Sequence, residues 1–192
     1  MPSSLSAPSS LNRLARKTPL QNGPVLWAQI KRDFTKDRID VAIRFGRGTW
    51  PDAIVDPLMS EEIQVVCSPK LMEGEHLLTS HAALRHHRLI RHSTRQNSWA
   101  QRYRSVGEQP GNLQCGPSLE YFFMIIQAAI AGLGVALLPR FLIEEELKRG
   151  TLIAPFKDTV VGPGAYYLVT SAAKAGLPRI KLFRRWMLDQ LT

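Results

Sequence analysis

Cysteine is scarce in this chain: of 192 residues, only Cys67 and Cys115 carry thiols. Without a CxxC or any regular Cys/His spacing, neither a disulfide framework nor a structural zinc site is indicated, and reduced thiols in a cytoplasmic protein are expected. Long hydrophobic runs are also missing. The longest, Phe122 to Ile126, falls far short of the roughly 20 residues of a membrane-spanning helix, so no membrane association is expected. Nucleotide motifs are absent too. There is no GxxxxGK[ST], and Gly46-x-Gly48 and Gly132-x-Gly134 are too short for a dinucleotide fingerprint, so no cofactor is expected. The opening MPSSLSAPSSLNRLARK has no apolar core of the secretory type. It reads as an irregular terminus, with a Ser- and Arg-rich transit peptide as the alternative.

Catalytic patterns are equally sparse. Ser118 lies in CGPSLE rather than in the GxSxG of a nucleophile elbow. His76, His81, His86, His87 and His92 crowd one stretch without HExxH or Cys partners at zinc spacing, and they read as solvated surface histidines with no metal between them. Cys67 at a strand end reads as a buried small hydrophobe, with a reactive thiol as the alternative. No set of residues calls for an enzyme.

Basic charge is plentiful: 25 Lys and Arg stand against 16 Asp and Glu, a formal net charge of +9. No acid interrupts Arg85, Arg88, Arg91, Arg95, Arg102 and Arg104, whereas Asp52, Asp56, Glu61, Glu62, Glu73 and Glu75 face Lys70 alone in the preceding stretch. No helix-turn-helix, zinc-finger or basic-zipper pattern accompanies the arginines, so they read as a solvated basic face, with an anionic ligand or partner surface as the alternative. The hydrophobic share of 44% is that of a globular chain.

Periodicity supplies the elements. VLWA at 25–28, a short helix around Ile30 and Phe34, and the β-branched run IDVAIRF at 39–45 form one βαβ unit, with 39–45 read as a buried central strand. EIQVVCS at 62–68 is a further strand, and Ser68-Pro69 opens a short helix. A strand is expected over 88–91 and a helix over 99–106. LQCGPS at 113–118 reads as a strand that ends at Gly116-Pro117, with Ser118 capping a helix over 119–131 that is buried on nearly every side. GVALLP at 134–139, TLIAPF at 151–156 and AYYLVTS at 165–171 are strands. RFLIEEELKRG is a helix with Gly150 as its cap, Gly162-Pro163-Gly164 is a turn or linker, and Pro178 begins a last helix. Ile180, Phe183, Met187 and Leu191 form its apolar stripe, and Arg184-Arg185 its polar side.

Strands alternating with helices imply an α/β sheet covered on both faces, whose ligands sit beyond the carboxyl ends of the strands. Those ends carry Arg44, Phe45 and Gly46, then His92-Ser93, Ser118, and Leu138-Pro139. A helix opening at Ser118 beside an Arg would suit a small acidic ligand. The plain alternatives are a simple cap for Ser118 and an ion pair with a neighbouring acid for Arg44.

IDVAIRFGRG, EIQVVCSPKL, GPSLEYFFMIIQAAIAGLGVALLP and YYLVTS with its C-terminal helix, in that order, resemble the effector-binding (substrate-binding) domain of LysR-type transcriptional regulators over about residues 25–192. DVAIRFGRGTWP with WMLDQL is similar to the branch holding glycine-cleavage activators and β-lactamase regulators. The resemblance implies an α/β fold of two Rossmann-like lobes, type 2 periplasmic-binding-protein-like, joined by two crossover segments near Val66-Cys67 and Gly162-Pro163-Gly164. Lobe I would be 1–66 plus 162–192 and lobe II 67–161. It implies a small, anionic metabolite as effector in the inter-lobe cleft, touching Gln29, Arg44, Phe45, Gly46, Ser93, Ser118 and Leu119, with Pro139 shaping the wall.

The same resemblance implies a homodimer or higher oligomer formed through the effector domain, and effector binding that biases the DNA-binding heads, a coupling of about 1–3 kcal/mol. DNA would be reached only through a winged helix-turn-helix that this sequence does not contain. The family's first strand is not recognisable either, so a fragment, a truncated gene product or a mispredicted start is expected. Rival readings are a solute-binding protein of the same fold and a truncated product without independent activity.

Overall fold

The computed structural model describes residues 39–73 and 76–190. The first strand and the helix of the expected βαβ unit, Gln29 and Leu191 lie outside the described residues. The described residues divide into two compact units, one holding those up to Glu61 and from Gly162 onward, the other those between Glu62 and Val161.

In the first unit, strand β1 (Val41–Gly46) pairs antiparallel with β6 (Val160–Ser171), Val41 opposite Thr170 and Gly46 opposite Ala165, and β6 lies beside β2 (Ala53–Val66). The β1 run was expected to be a buried central strand. Every one of its residues is only half-buried, and among the described residues β6 is its one strand neighbour. Its β-branched residues cover one face: Val41 and Ile43 pack on Leu168 and Met187. Helix α4 (Pro178–Asp189) starts with Pro at its first turn, where the missing N–H costs nothing, and buries Ile180 and Met187. Arg184, expected on the polar side, meets Asp56 there through two hydrogen bonds of 2.9 and 2.7 Å.

Gly162-Pro163-Gly164 is not a turn. It lies within β6, because glycine here serves close approach rather than chain reversal. A Cβ on Gly162 would stand 2.5 Å from Glu61 Oε2, and one on Gly164 would stand 2.7 Å from the Gly46 carbonyl oxygen. Residues i and i+2 share a strand face, so both glycines open the same side of β6.

The second unit is built on the C-terminal part of β2, which pairs antiparallel with β5 (Ala136–Pro139), Val66 opposite Ala136. Strand β3 (Leu89–His92) runs parallel to β4 (Cys115–Leu119) and bridges to Val135. Helix α1 (Ser98–Ser105) comes after β3, helix α2 (Phe122–Ile130) after β4, and α3 (Glu144–Lys148) after β5. The expected strand over 151–156 shrinks to one bridge, Ile153 with Cys67; Pro155 lacks the donor a longer ladder needs.

Two apolar clusters hold this unit together. Val66, Ile90, Ile125, Ala129, Leu138 and Ile143 centre one, and Val65, Leu84, Leu89, Trp99, Tyr103 and Val135 the other. Helix α2 is not buried all round as expected: Ile125, Ile126, Ala128 and Ala129 face inward, while Phe123 and Met124, with Tyr121 before the helix and Leu133 after it, stay exposed. The helix ends in a Schellman arrangement. Gly132 takes φ +79°, its N–H donates to the Ala129 carbonyl, and the Leu133 N–H donates to Ala128. Arg102 departs from the expected solvated basic face. It is 3% exposed and reaches Asp158 at 2.5 Å. Burial would raise the Asp158 carboxyl, but the Arg102 hydrogen bond and charge outweigh it and hold the group below its usual value.

Candidate functional site

At the carboxyl end of β3, the chain turns through His92, Ser93, Thr94 and Arg95 before α1. The Ser93 N–H donates to the Leu119 carbonyl at 2.9 Å, tying this turn to the end of β4. Helix α1 then opens with Ser98, whose hydroxyl donates to the Arg95 carbonyl. Between them lies a cavity of about 20 Å³, with His92, Arg95 and Ser98 as its polar edge and Ile63, Phe122, Leu137 and Pro139 among its apolar walls. That volume holds roughly one water molecule.

The cavity is small because aromatic rings fill the space. The His92 imidazole packs edge-on against the Phe122 ring with centroids 4.8 Å apart. The Arg95 guanidinium carbon lies 4.9 Å from the Phe122 centroid, a cation–π contact. Trp99 closes the floor and donates its indole N–H to the Ile90 carbonyl at 2.8 Å. His92 is 6% exposed. Burial, then the nearby Arg95 charge, lower its pKa from the ordinary 6.5, with Glu120 pulling the other way.

In the first unit, the end of β1 carries Arg44, Phe45 and Gly46. The Phe45 ring packs on Tyr166 with centroids 5.1 Å apart, and the Tyr166 hydroxyl donates to the fully buried Glu61 carboxylate at 2.9 Å. Trp50 meets Tyr167 edge-on at 5.5 Å, and a Cβ on Gly46 would lie 2.9 Å from the Trp50 ring. Among the described residues, no group of His, Cys, Asp and Glu is arranged to hold a metal ion, and no helix is long and apolar enough to cross a membrane.

The sequence model of the LysR substrate binding domain matches residues 11–192. The chain belongs to the LysR substrate-binding domain family. Among curated relatives of this LysR domain, the glycine cleavage system transcriptional activator of Escherichia coli K12 is 39% identical over 158 residues, covering 82% of this chain and 52% of that protein. The HTH-type transcriptional activator AmpR of Providencia stuartii is 35% identical over 153 residues, covering 80% and 50%. The chain thus spans about half the length of the curated relatives it matches. The solved effector domain of the regulator AmpR of Pseudomonas aeruginosa superposes with a TM-score of 0.73 at 27% identity, covering 84% of this chain and 76% of that one. The fold is the mixed α/β, type 2 periplasmic-binding-protein-like architecture of LysR effector-binding domains.

The LysR domain joins some of the sequence-predicted residues and separates others. Ser93 and Leu119 meet through their backbones, and Pro139 lines the same cavity as His92. Ser118 is not a helix cap. It lies in β4 opposite Arg91 with its side chain exposed, and α2 begins at Phe122 after Tyr121, which makes no side-chain cap. The Gly116-Pro117 break fails to end the strand because this backbone pairs with β3: a Cβ on Gly116 would sit 2.9 Å from the Leu89 carbonyl oxygen. Arg44, Phe45 and Gly46 stand together on β1 in the first unit. Sequence reasoning missed His92, Arg95 and Phe122 as neighbours, and it placed His92 on the surface. The signal was the run Leu89-Ile90-Arg91-His92, whose strand carries His92 inward.

Protonation of His92 sets an expected acid sensitivity. The unfolded ring takes its proton near pH 6.5, while the folded ring resists it to a lower pH. Between those values the unfolded chain binds more protons, so stability is complete above pH 6.5 and falls as the pH drops through that window. His81, also lowered, chiefly by burial and then by Arg102, acts in the same direction. The urea midpoint should be lower at about pH 5.5 than at about pH 7.5, and His92→Asn should reduce that difference. An unchanged midpoint across the window would refute the assignment.

Proposed function

We propose that this chain is the ligand-sensing part of a transcription regulator, taking a small anionic metabolite in the cleft that the family's two-lobed fold implies. Family membership over residues 11–192 carries this reading. Residue chemistry supports it from each unit: Arg44, Phe45 and Gly46 at the end of β1, and Ser93, Ser118, Leu119 and Pro139 around the ends of β3, β4 and β5, where α/β folds hold ligands. Gln29 belongs to the same proposed set. The metabolite is held and released without bond making, and its preference for one arrangement biases DNA binding by the intact regulator. A second copy of the chain covers the exposed apolar face of Tyr121, Phe123, Met124 and Leu133; sedimentation equilibrium should show a dimer, and a monomer at high concentration would remove that part of the reading.

Ligand binding to the folded state alone should raise stability by about 2.7 kcal/mol at a hundredfold excess over Kd. For a chain of this size that is a rise in Tm of about 5–10 °C. A thermal-shift panel of acetate, pyruvate, succinate, citrate and benzoate, with neutral amides as controls, tests it. Flat melting curves for every carboxylate, confirmed by calorimetry, would defeat the anionic reading. A shift accompanied by consumption of the compound would favour an enzyme instead.

A further inference from the structure

We infer that the second unit carries a further ligand site, an open surface cavity lined by residues of the 76–86 segment, which takes the terminal phosphate of a small phosphorylated metabolite. The site uses none of the residues proposed above for the effector and stands apart from that reading. The cavity measures about 550 Å³, inside the span of about 300–1,000 Å³ usual for small-molecule pockets. Its polar lining is His76, Thr79, Ser80, Arg85 and His86, and among the described residues no acid lines it. Ala82 and Ala83 complete the wall with single methyl groups, which leaves the concavity open.

The donors are held in place before a ligand arrives. A short 3-10 helix over His81–His86 carries Arg85, and the Arg85 Nε–H donates to the Ala82 carbonyl at 2.8 Å. That bond anchors the guanidinium, while its Nη groups meet no acceptor among the described residues. The His76 and His86 rings stack with centroids 4.6 Å apart and planes 22° from parallel, which limits the rotation of both. The His87 Nε2–H donates to the His76 carbonyl at 2.7 Å and ties the ends of the segment together. The Ser80 hydroxyl makes no cap bond to the helix that follows it. Charge and donor number then select the ligand. Arg85 is a fixed positive charge with no acid beside it on the lining, so the cavity favours an anion. The Arg85 fork, two imidazoles and two hydroxyls outnumber what the two oxygens of a carboxylate or of a phosphodiester can use. A phosphomonoester brings three acceptor oxygens and about −1.5 to −2 charges at pH 7, and guanidinium–phosphate hydrogen bonds are charge-assisted and bidentate. Arg85, His76 and His86 are exposed, so added salt weakens the contact.

The test titrates the native chain at low salt with glycerol 3-phosphate, dimethyl phosphate, acetate and a short DNA duplex, read by calorimetry and by 1H–15N correlation spectra. Glycerol 3-phosphate should bind about tenfold more tightly than dimethyl phosphate or acetate, and should move the amide signals of Thr79, Ser80, Ala82 and Ala83. Arg85→Gln should weaken it about tenfold. Arg104→Gln removes the same charge from an exposed position on α1 and should leave the affinity within about twofold, which separates a local contact from net charge. Still amide signals, dimethyl phosphate binding as tightly as glycerol 3-phosphate, or equal losses in the two variants each overturn the inference. A duplex that binds through Arg85 while glycerol 3-phosphate does not would give the patch to nucleic acid and overturn it as well. None of these outcomes bears on the effector reading, whose own test is the carboxylate panel.

Discussion

Gly134→Ala should lose about 2–6 kcal/mol of stability, the sum of a forced backbone conformation and an overpacked contact. Gly134 takes φ +157°, and a Cβ there would lie 2.3 Å from the Arg88 carbonyl oxygen and 3.0 Å from its carbon. These are backbone atoms, so no rotamer change relieves the clash. The same carbonyl accepts the Val135 N–H at 2.8 Å, and the Val135 carbonyl accepts from Ile90. Retreat of Arg88 would therefore loosen the bridge between β3 and β5 that supports the turn carrying His92. With total stabilities commonly about 5–15 kcal/mol, the variant should unfold at a much lower urea concentration or fail to accumulate. Gly132→Ala, where nothing lies within 4 Å of the added carbon, should cost only the strain of φ +79° and serves as the control. Equal midpoints for Gly134→Ala and the native chain would show that the approach of the two strands is looser than described.

Trp99→Ala should cost about 3–5 kcal/mol, the usual penalty for emptying a large aromatic site in a core. Trp99 is 3% exposed and packs with Val65, Leu84, Leu89 and Tyr103. Trp99→Phe separates packing from hydrogen bonding. It keeps a ring in the site but leaves the Ile90 carbonyl without the indole donor, for a loss of about 1–3 kcal/mol. Chemical denaturation of both variants checks the order. A Phe variant as damaged as the Ala variant would mean that the hydrogen bond, and not the ring volume, dominates.

Much of this architecture was legible in the amino-acid order, and the misreadings share a physical cause. The segments around β1, β2, β3, β5, β6, α1 and α4 follow from apolar runs and from Pro178 at a first helical turn. Gly150, at φ +70°, ends the α3 region where a C-terminal glycine was expected. Small residues misled where they permit close packing. Gly162-Pro163-Gly164 and Gly116-Pro117 look like punctuation in one dimension, yet their missing side chains let strands approach Glu61, Gly46 and Leu89. Gly132-x-Gly134, set aside as too short for nucleotide binding, divides two tasks: a helix cap and a strand contact.

The site was only half legible for a related reason. Looking beyond strand ends offers Arg44, Phe45, Gly46, Ser93, Ser118 and Pro139 as candidates, and the family resemblance adds Gln29 and Leu119. Whether a histidine in a basic, polar stretch turns inward depends on strand register and on what packs against it. His92 becomes buried because Phe122, four residues beyond the misplaced cap at Ser118, presents a ring to it. Residues 99–106 gave α1 correctly, but nothing in their spacing revealed that Arg102 would be enclosed against Asp158.

The thiols differ sharply in reach. Cys67 is fully buried and its pKa is pushed up to about 11 by desolvation, whereas Cys115 is exposed at the start of β4. Thiolate is the reactive form, so a maleimide dye offered to the native fold will attach at one position, on the strand that leads to Ser118 and Leu119. The protein thus comes with its own handle for a fluorescent reporter, placed near the proposed ligand contacts without any engineered mutation.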